Sequence, residues 1–182
     1  EPYPSAWMDN YSSWYQFLSQ DQSWVFELTN TLRGVLPGFE NFRFVPAGEN
    51  VQILKAVFSG KELVFRFQEL SDGQRALIIL YTLLIASQKE NYVLCIDEPE
   101  NFLALPEIQP WLLQLYDSCS EGKTQALLIS HHPELINYLL ASSIGYWFER
   151  EANTPVRVKQ VVAESNGGLP VSELIARGWL NA

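Results

Sequence analysis

The 182-residue chain predicts an α/β fold in which antiparallel strands precede a parallel β-α-β core. Three observations carry that expectation. Apolar residues alternate with a period of two between Phe39 and Phe67, as in half-buried strands. Two short continuous apolar runs, residues 92–96 and 126–129, suit buried parallel strands. Each is followed by a helical pattern opened by a proline, Pro106 and Pro133. Strand–helix–strand–helix order implies a right-handed parallel unit.

The elements follow in order. Residues 1–10, with two prolines and the pair Asp9-Asn10, read as irregular. From about Ser12 to Leu36, Trp14, Phe17, Leu18, Trp24, Val25, Leu28, Leu32 and Val35 recur at helical spacing, and Pro37-Gly38 stops this helix. Three short antiparallel strands are expected around Phe42 and Phe44, then Val51 to Val57, then Leu63 to Phe67. Residues 46–50 and 59–61 supply the turns between them. Residues 71–86 are apolar almost all round, which predicts a buried helix. Pro106 opens a helix with Ile108, Trp111, Leu112, Leu115 and Tyr116 on one face, and Pro133 opens another through about Leu140. Strands near 144–150 and 156–162, a turn at Asn166-Gly167-Gly168 and a short helix near 171–177 complete the reading. One domain is expected, in three stretches: 1–69 (helix and antiparallel strands), 70–142 (core) and 143–182 (terminal strands and helix).

Composition bounds the function. Apolar residues make up 47% and charged residues 18%, so a sizeable core is available and disorder is excluded. The net charge of −9, with basic residues scattered, argues against a surface that grips nucleic acid. No run approaches the roughly 18 apolar residues of a membrane span, and no signal peptide opens the chain. Cys95 and Cys119 form neither a metal nor a redox spacing. A soluble, cytoplasmic protein is expected. The opening Glu1-Pro2-Tyr3-Pro4 lacks an initiator Met, which suggests a piece of a longer polypeptide.

Three segments carry candidate chemistry. Leu70-Ser71-Asp72-Gly73-Gln74 is a capping box, Ser71 and Gln74 satisfying helix-start amides reciprocally. The same segment reads as an anion site, where free N–H groups and the helix dipole meet a phosphate that Gly73 lets approach. At Asp97-Glu98-Pro99-Glu100 a strand empties into acids at the sheet edge where parallel sheets bind ligands. Asp97 could hold Mg²⁺ and Glu98 could orient an attacking water; a solvated acidic loop is the plain alternative. Ser130-His131-His132-Pro133 ends the next strand, so a histidine there can contact a terminal phosphate or simply lead into the helix. Two histidines alone make a poor zinc site.

In that order the three segments resemble the ABC-type ATPases. Leu70–Gln74 looks like their LSxGQ signature, residues 93–98 like a Walker B strand with its catalytic glutamate, Ser130-His131 like the switch-histidine segment, and residues 99–106 stand in the place of the D-loop. The helix Arg75-Ala76-Leu77-Ile78 and the loop Glu100-Asn101-Phe102-Leu103 are similar to the soluble RecF/SMC-like branch rather than to transporter subunits. The resemblance implies the C-terminal half of an ABC/RecA-like P-loop ATPase fold and hydrolysis of ATP with Mg²⁺ at a site shared across a head-to-tail homodimer. Ser71, Gly73 and Gln74 would cap the γ-phosphate of the partner's ATP. Asp97 (metal), Glu98 and His131 (catalytic) would serve the protomer's own. DNA repair or antiphage defence is the implied setting, with DNA or a nuclease as possible partners and no membrane.

The chain departs from the family in three respects: it has no phosphate loop, it lacks the Q-loop glutamine segment and helical insert, and Leu103 is followed by Ala104-Leu105-Pro106 where many relatives place a histidine and a proline. No G-x-x-x-x-G-K-[ST] phosphate loop occurs; Gly122-Lys123-Thr124 lacks the first glycine, because position 117 is Asp117. The expectation is therefore an inactive half-domain whose Walker A lies in an N-terminal half upstream of Glu1, with a natural C-terminus near Trp179. A non-catalytic sensing or dimerisation module is the alternative reading, and a transporter nucleotide-binding subunit a weaker one.

Overall fold

The computed structural model describes residues 1–49, 51–60, 63–90, 92–140, 144–150 and 152–161. These form two units, Glu1–Ile129 and the residues from Ser130 onward.

The first unit opens with two helices, α1 (Tyr11–Leu18) and α2 (Gln22–Val35), where the periodicity predicted one. Asp21 makes the break. Its Oδ1 accepts the backbone N–H of Ser23 at 2.8 Å and of Trp24 at 3.3 Å, capping a fresh helix start. The three antiparallel strands are present as β1 (Phe39–Gly48), β2 (Val51–Phe58) and β3 (Leu63–Arg66), in that spatial order. A register shift between Phe39 and Asn41 turns Phe39 and Phe42 toward each other, their rings 5.0 Å apart. Strand β1 continues through Pro46, opposite Gln52, into residues the sequence reads as turn. This is possible because β1 is an edge strand, where a missing N–H costs no ladder bond.

Tyr11, Trp14, Tyr15 and Trp24 are buried. Tyr11 stacks on Phe67 with centroids 4.2 Å apart, and its hydroxyl shares a hydrogen bond of 3.0 Å with Thr82 Oγ1. Burial pushes the Tyr11 hydroxyl upward and Tyr15 to about 12, so both stay neutral partners of the core.

Helix α3 (Asp72–Glu90) is buried around most of its circumference, through Leu77, Ile78, Leu80, Tyr81, Leu84 and Ile85. Two of its buried hydroxyls are satisfied within the helix, Thr82 donating to the Ile78 carbonyl at 2.7 Å and Ser87 to that of Leu84 at 2.8 Å. Helix α4 (Leu105–Ser120) packs on α3, and Trp111 Nε1 donates to the Leu80 carbonyl at 2.8 Å. Tyr116, expected on the buried face, is 45% exposed. The buried stripe is centred near Leu115, and one residue further round is a turn of about 100°.

Strands β4 (Val93–Asp97) and β5 (Gln125–Ile129) pair in parallel, Val93 opposite Gln125 and Asp97 opposite Ile129. They were expected to be buried on both faces, and they are not. Leu94 is buried, but on the opposite face Val93 is 53% exposed and Leu127 and Ile129 are each 64% exposed. One face of this two-stranded sheet is thus exposed, whereas a complete parallel sheet is covered on both.

The second unit contains α5 (Pro133–Leu140) and an antiparallel pair, β6 (Gly145–Glu149) and β7 (Arg157–Val161). Lys159 and Glu149 form an ion pair of 3.1 Å across the two strands. The turn expected at Asn166-Gly167-Gly168, the helix near 171–177 and the chain ending lie outside the described residues. No helix among the described residues is long and apolar enough to cross a membrane.

Candidate functional site

The site is built on the C-terminal end of β4 and the start of α3. Side chains alternate along β4, so Asp97 lies with Val93 and Cys95 on the exposed face of the sheet. Glu98 continues the ladder one step further, its N–H donating to the Ile129 carbonyl at 2.7 Å. There the chain turns sharply. Glu98 has φ +49° and Phe102 has φ +70°, a left-handed conformation uncommon outside glycine. Two hydrogen bonds close the arch between them, from Asn101 N–H to the Glu98 carbonyl at 3.0 Å and from Leu103 N–H to the Glu100 carbonyl at 2.9 Å. Within the arch, Asn101 Nδ2 donates to Glu98 Oε2 at 2.9 Å. Strained backbone of this kind persists where surrounding contacts over-determine it and is common at functional sites.

The capping box at the start of α3 is present. Ser71 N–H donates to Gln74 Oε1 at 3.1 Å, and Gln74 N–H donates to Ser71 Oγ at 3.2 Å. Arg75 pairs with Asp72 one turn along. Gly73 has a second reason to be glycine. A Cβ built on it would stand 2.9 Å from the Phe102 carbonyl oxygen and 3.6 Å from Leu103 Cδ2. The helix start therefore lies directly against the arch that carries Glu98, a contact the spacing of Ser71 and Gln74 does not reveal.

Of the six candidate residues, Ser71, Gly73, Gln74, Asp97 and Glu98 lie in the first unit, on either side of this junction. His131 belongs to the second unit, exposed in the segment between β5 and α5, where Ser130 Oγ accepts the His132 N–H at 3.0 Å. Asn101 escaped the sequence reading as a partner of Glu98. Its signal is an amide three residues after a carboxylate in a turn.

An Mg²⁺ ion suits the donors at this edge. Asp97 offers an exposed, hard carboxylate oxygen. Mg²⁺ is typically held that way, by one or two carboxylates with phosphate and water oxygens completing the shell.

The comparisons with known proteins agree with this architecture. A chain in a structure concerning ATP-driven dimerisation and DNA-stimulated activation of SMC ATPases superposes with a TM-score of 0.64 at 13% identity, over 91% of this chain and 96% of that one. The Smc head of Pyrococcus furiosus, bound to the C-terminal domain of ScpA, gives a TM-score of 0.60 at 13% identity over 91% of this chain. That of Pyrococcus yayanosii gives 0.59 at 17% identity over 90%. This chain spans 39% and 30% of those two larger chains. At such identities the likeness establishes the fold, that of the SMC ATPase head. No curated protein matches the sequence significantly. A family model described as "AAA domain, putative AbiEii toxin, Type IV TA system" matches residues 16–137. Matched over most of its length, and folded as an SMC-like head, the chain belongs to that family of AAA-type ATPase domains.

Proposed function

We propose that this chain is the signature- and Walker B-bearing part of an ATPase that hydrolyses ATP within a head-to-tail homodimer. The observation that carries the reading is the junction itself. A capped helix start and an acidic strand end, the two segments that resemble the family's signature and Walker B motifs, meet through Gly73 and the Phe102 carbonyl.

Ser71, Gly73 and Gln74 present the N–H groups and hydroxyl of the α3 start to the γ-phosphate of ATP on the partner protomer, where the helix dipole favours negative charge. Glu98 accepts a hydrogen bond from the attacking water and orients it. Glu98 and His131 serve the protomer's own ATP instead, and His131 donates to its γ-phosphate. Asp97 is the residue that would hold Mg²⁺, which when bound neutralises charge on the transferred phosphoryl group. The protein's contribution is positioning and charge stabilisation rather than covalent chemistry.

The phosphate loop that must cradle ATP is supplied by an N-terminal half of the polypeptide. The uncovered apolar face of β4 and β5 supports this, since Val93, Leu127 and Ile129 lie where a complete parallel sheet is covered. A role in DNA repair or antiphage defence belongs to the same proposal. The DNA-stimulated activation reported for SMC ATPases supports a DNA partner. With a net charge of −9, the DNA-gripping surface lies outside these residues.

The test is Glu98→Gln in the full-length ATPase. Turnover should be abolished while ATP still drives dimer formation. Turnover within twofold of wild type would remove Glu98 from the proposed role.

A further inference from the structure

We propose that Asn101 is a positioning residue for Glu98, its amide holding the carboxylate in the orientation that serves water while Gly73 seats the loop that carries both. The inference rests on the ATPase reading above and adds to it a residue to which the sequence assigned no role at the carboxylate.

The geometry is specific. Glu98 is tied at three points, one on the neighbouring strand and two within its own loop. Its N–H is held by the Ile129 carbonyl at 2.7 Å, its carbonyl by the Asn101 N–H at 3.0 Å, and its Oε2 by Asn101 Nδ2 at 2.9 Å. Asn101 thus holds both the backbone and the side chain of one glutamate. An amide nitrogen only donates, so this contact orders the glutamate as an acceptor. The left-handed backbone at Glu98 turns the chain so that residue 101 comes back over residue 98. An extended continuation of β4 would carry the two side chains apart, at about 3.3 Å per residue.

The loop is also braced from below. The Phe102 carbonyl, one residue beyond Asn101, rests on Gly73 with no room for a Cβ. Asn101 itself is exposed, so its amide is not there to fill a core position. A catalytic carboxylate on a loop needs such support, because a misplacement of about 1 Å can cost about 100-fold in rate.

The test uses the full-length ATPase with Asn101→Ala, the isosteric Asn101→Asp, and Glu98→Gln in parallel. Expected for both Asn101 variants is a fall in kcat of about 10- to 100-fold, with KM for ATP and ATP-driven dimerisation close to wild type. The aspartate should be no better than the alanine, since it fills the same space but sets an acceptor and a like charge against Glu98. Three outcomes overturn the proposal. Wild-type kcat in Asn101→Ala shows that the contact does not matter. Recovery in Asn101→Asp shows that only shape does. Loss of ATP-driven dimerisation alongside the fall in kcat places Asn101 at the dimer seam instead. If Glu98→Gln itself keeps turnover, the ATPase assignment of Glu98 fails first, which separates the two readings.

Discussion

Gly73→Ala tests the junction between α3 and the Glu98 loop directly. The added methyl would meet the Phe102 carbonyl oxygen at 2.9 Å, about half an ångström short of ordinary contact, and a backbone atom cannot rotate aside. Overpacking of this kind costs about 1–3 kcal/mol. Against it stands the helix propensity of alanine over glycine, worth up to about 1 kcal/mol. The matched control is Gly34→Ala in α2, where nothing lies within 4 Å and the same replacement should gain about 0.5–1 kcal/mol. Urea denaturation followed by tryptophan fluorescence should therefore rank Gly34→Ala above wild type, with Gly73→Ala about 1–3 kcal/mol below that control. On the proposed ATPase reading, displacing the loop by half an ångström should also lower turnover of the full-length protein by roughly tenfold. If Gly73→Ala gains as much stability as Gly34→Ala, the close approach does not exist in solution.

Two further predictions concern the frame that carries the site. Tyr11→Phe removes the hydroxyl shared with Thr82 but leaves Thr82 donating to Ile78, so denaturation should show a loss of only about 0.5–1.5 kcal/mol. Lys89 Nζ donates to Asp21 Oδ2 at 2.7 Å and, with Ser23 and the Trp24 N–H, holds the Asp21 carboxyl well below the usual carboxylate range. A depressed carboxyl stabilises the fold above its unfolded value, about pH 4, and loses that contribution as pH falls further. The stability gap between wild type and Lys89→Ala should accordingly be open at neutral pH and close toward pH 2. It should also narrow in 1 M salt, since the pair is largely exposed. A gap that ignores both pH and salt would mean Lys89 acts through packing alone.

Much of the fold was legible because its periodicities are local. The two-residue alternation from Phe39 to Phe67 became β1 to β3, and the apolar runs before Asp97 and Ser130 became β4 and β5. The single helix from Ser12 to Leu36 failed because one side chain, Asp21, outweighs a continuous apolar pattern by capping a new start. The buried character of β4 and β5 failed for another reason. An apolar run records what a strand is suited to pack against, not whether that partner lies within the same 182 residues. At the site, the capping box of Ser71 and Gln74 was legible from their spacing, whereas the hydrogen bond from Asn101 to Glu98 was not.

The sequence by itself determined the α/β class and the order of strands and helices. These follow from side-chain chemistry and from spacing along the chain, which need no knowledge of distant contacts. Only the tertiary structure decided that Gly73 lies beneath the Phe102 carbonyl and that Asn101 returns to Glu98. It also decided that one face of the β4–β5 sheet is bare. Each of these depends on backbone turns through left-handed conformations or on the coverage of a sheet, and such packing is set by parts of the chain far apart in sequence.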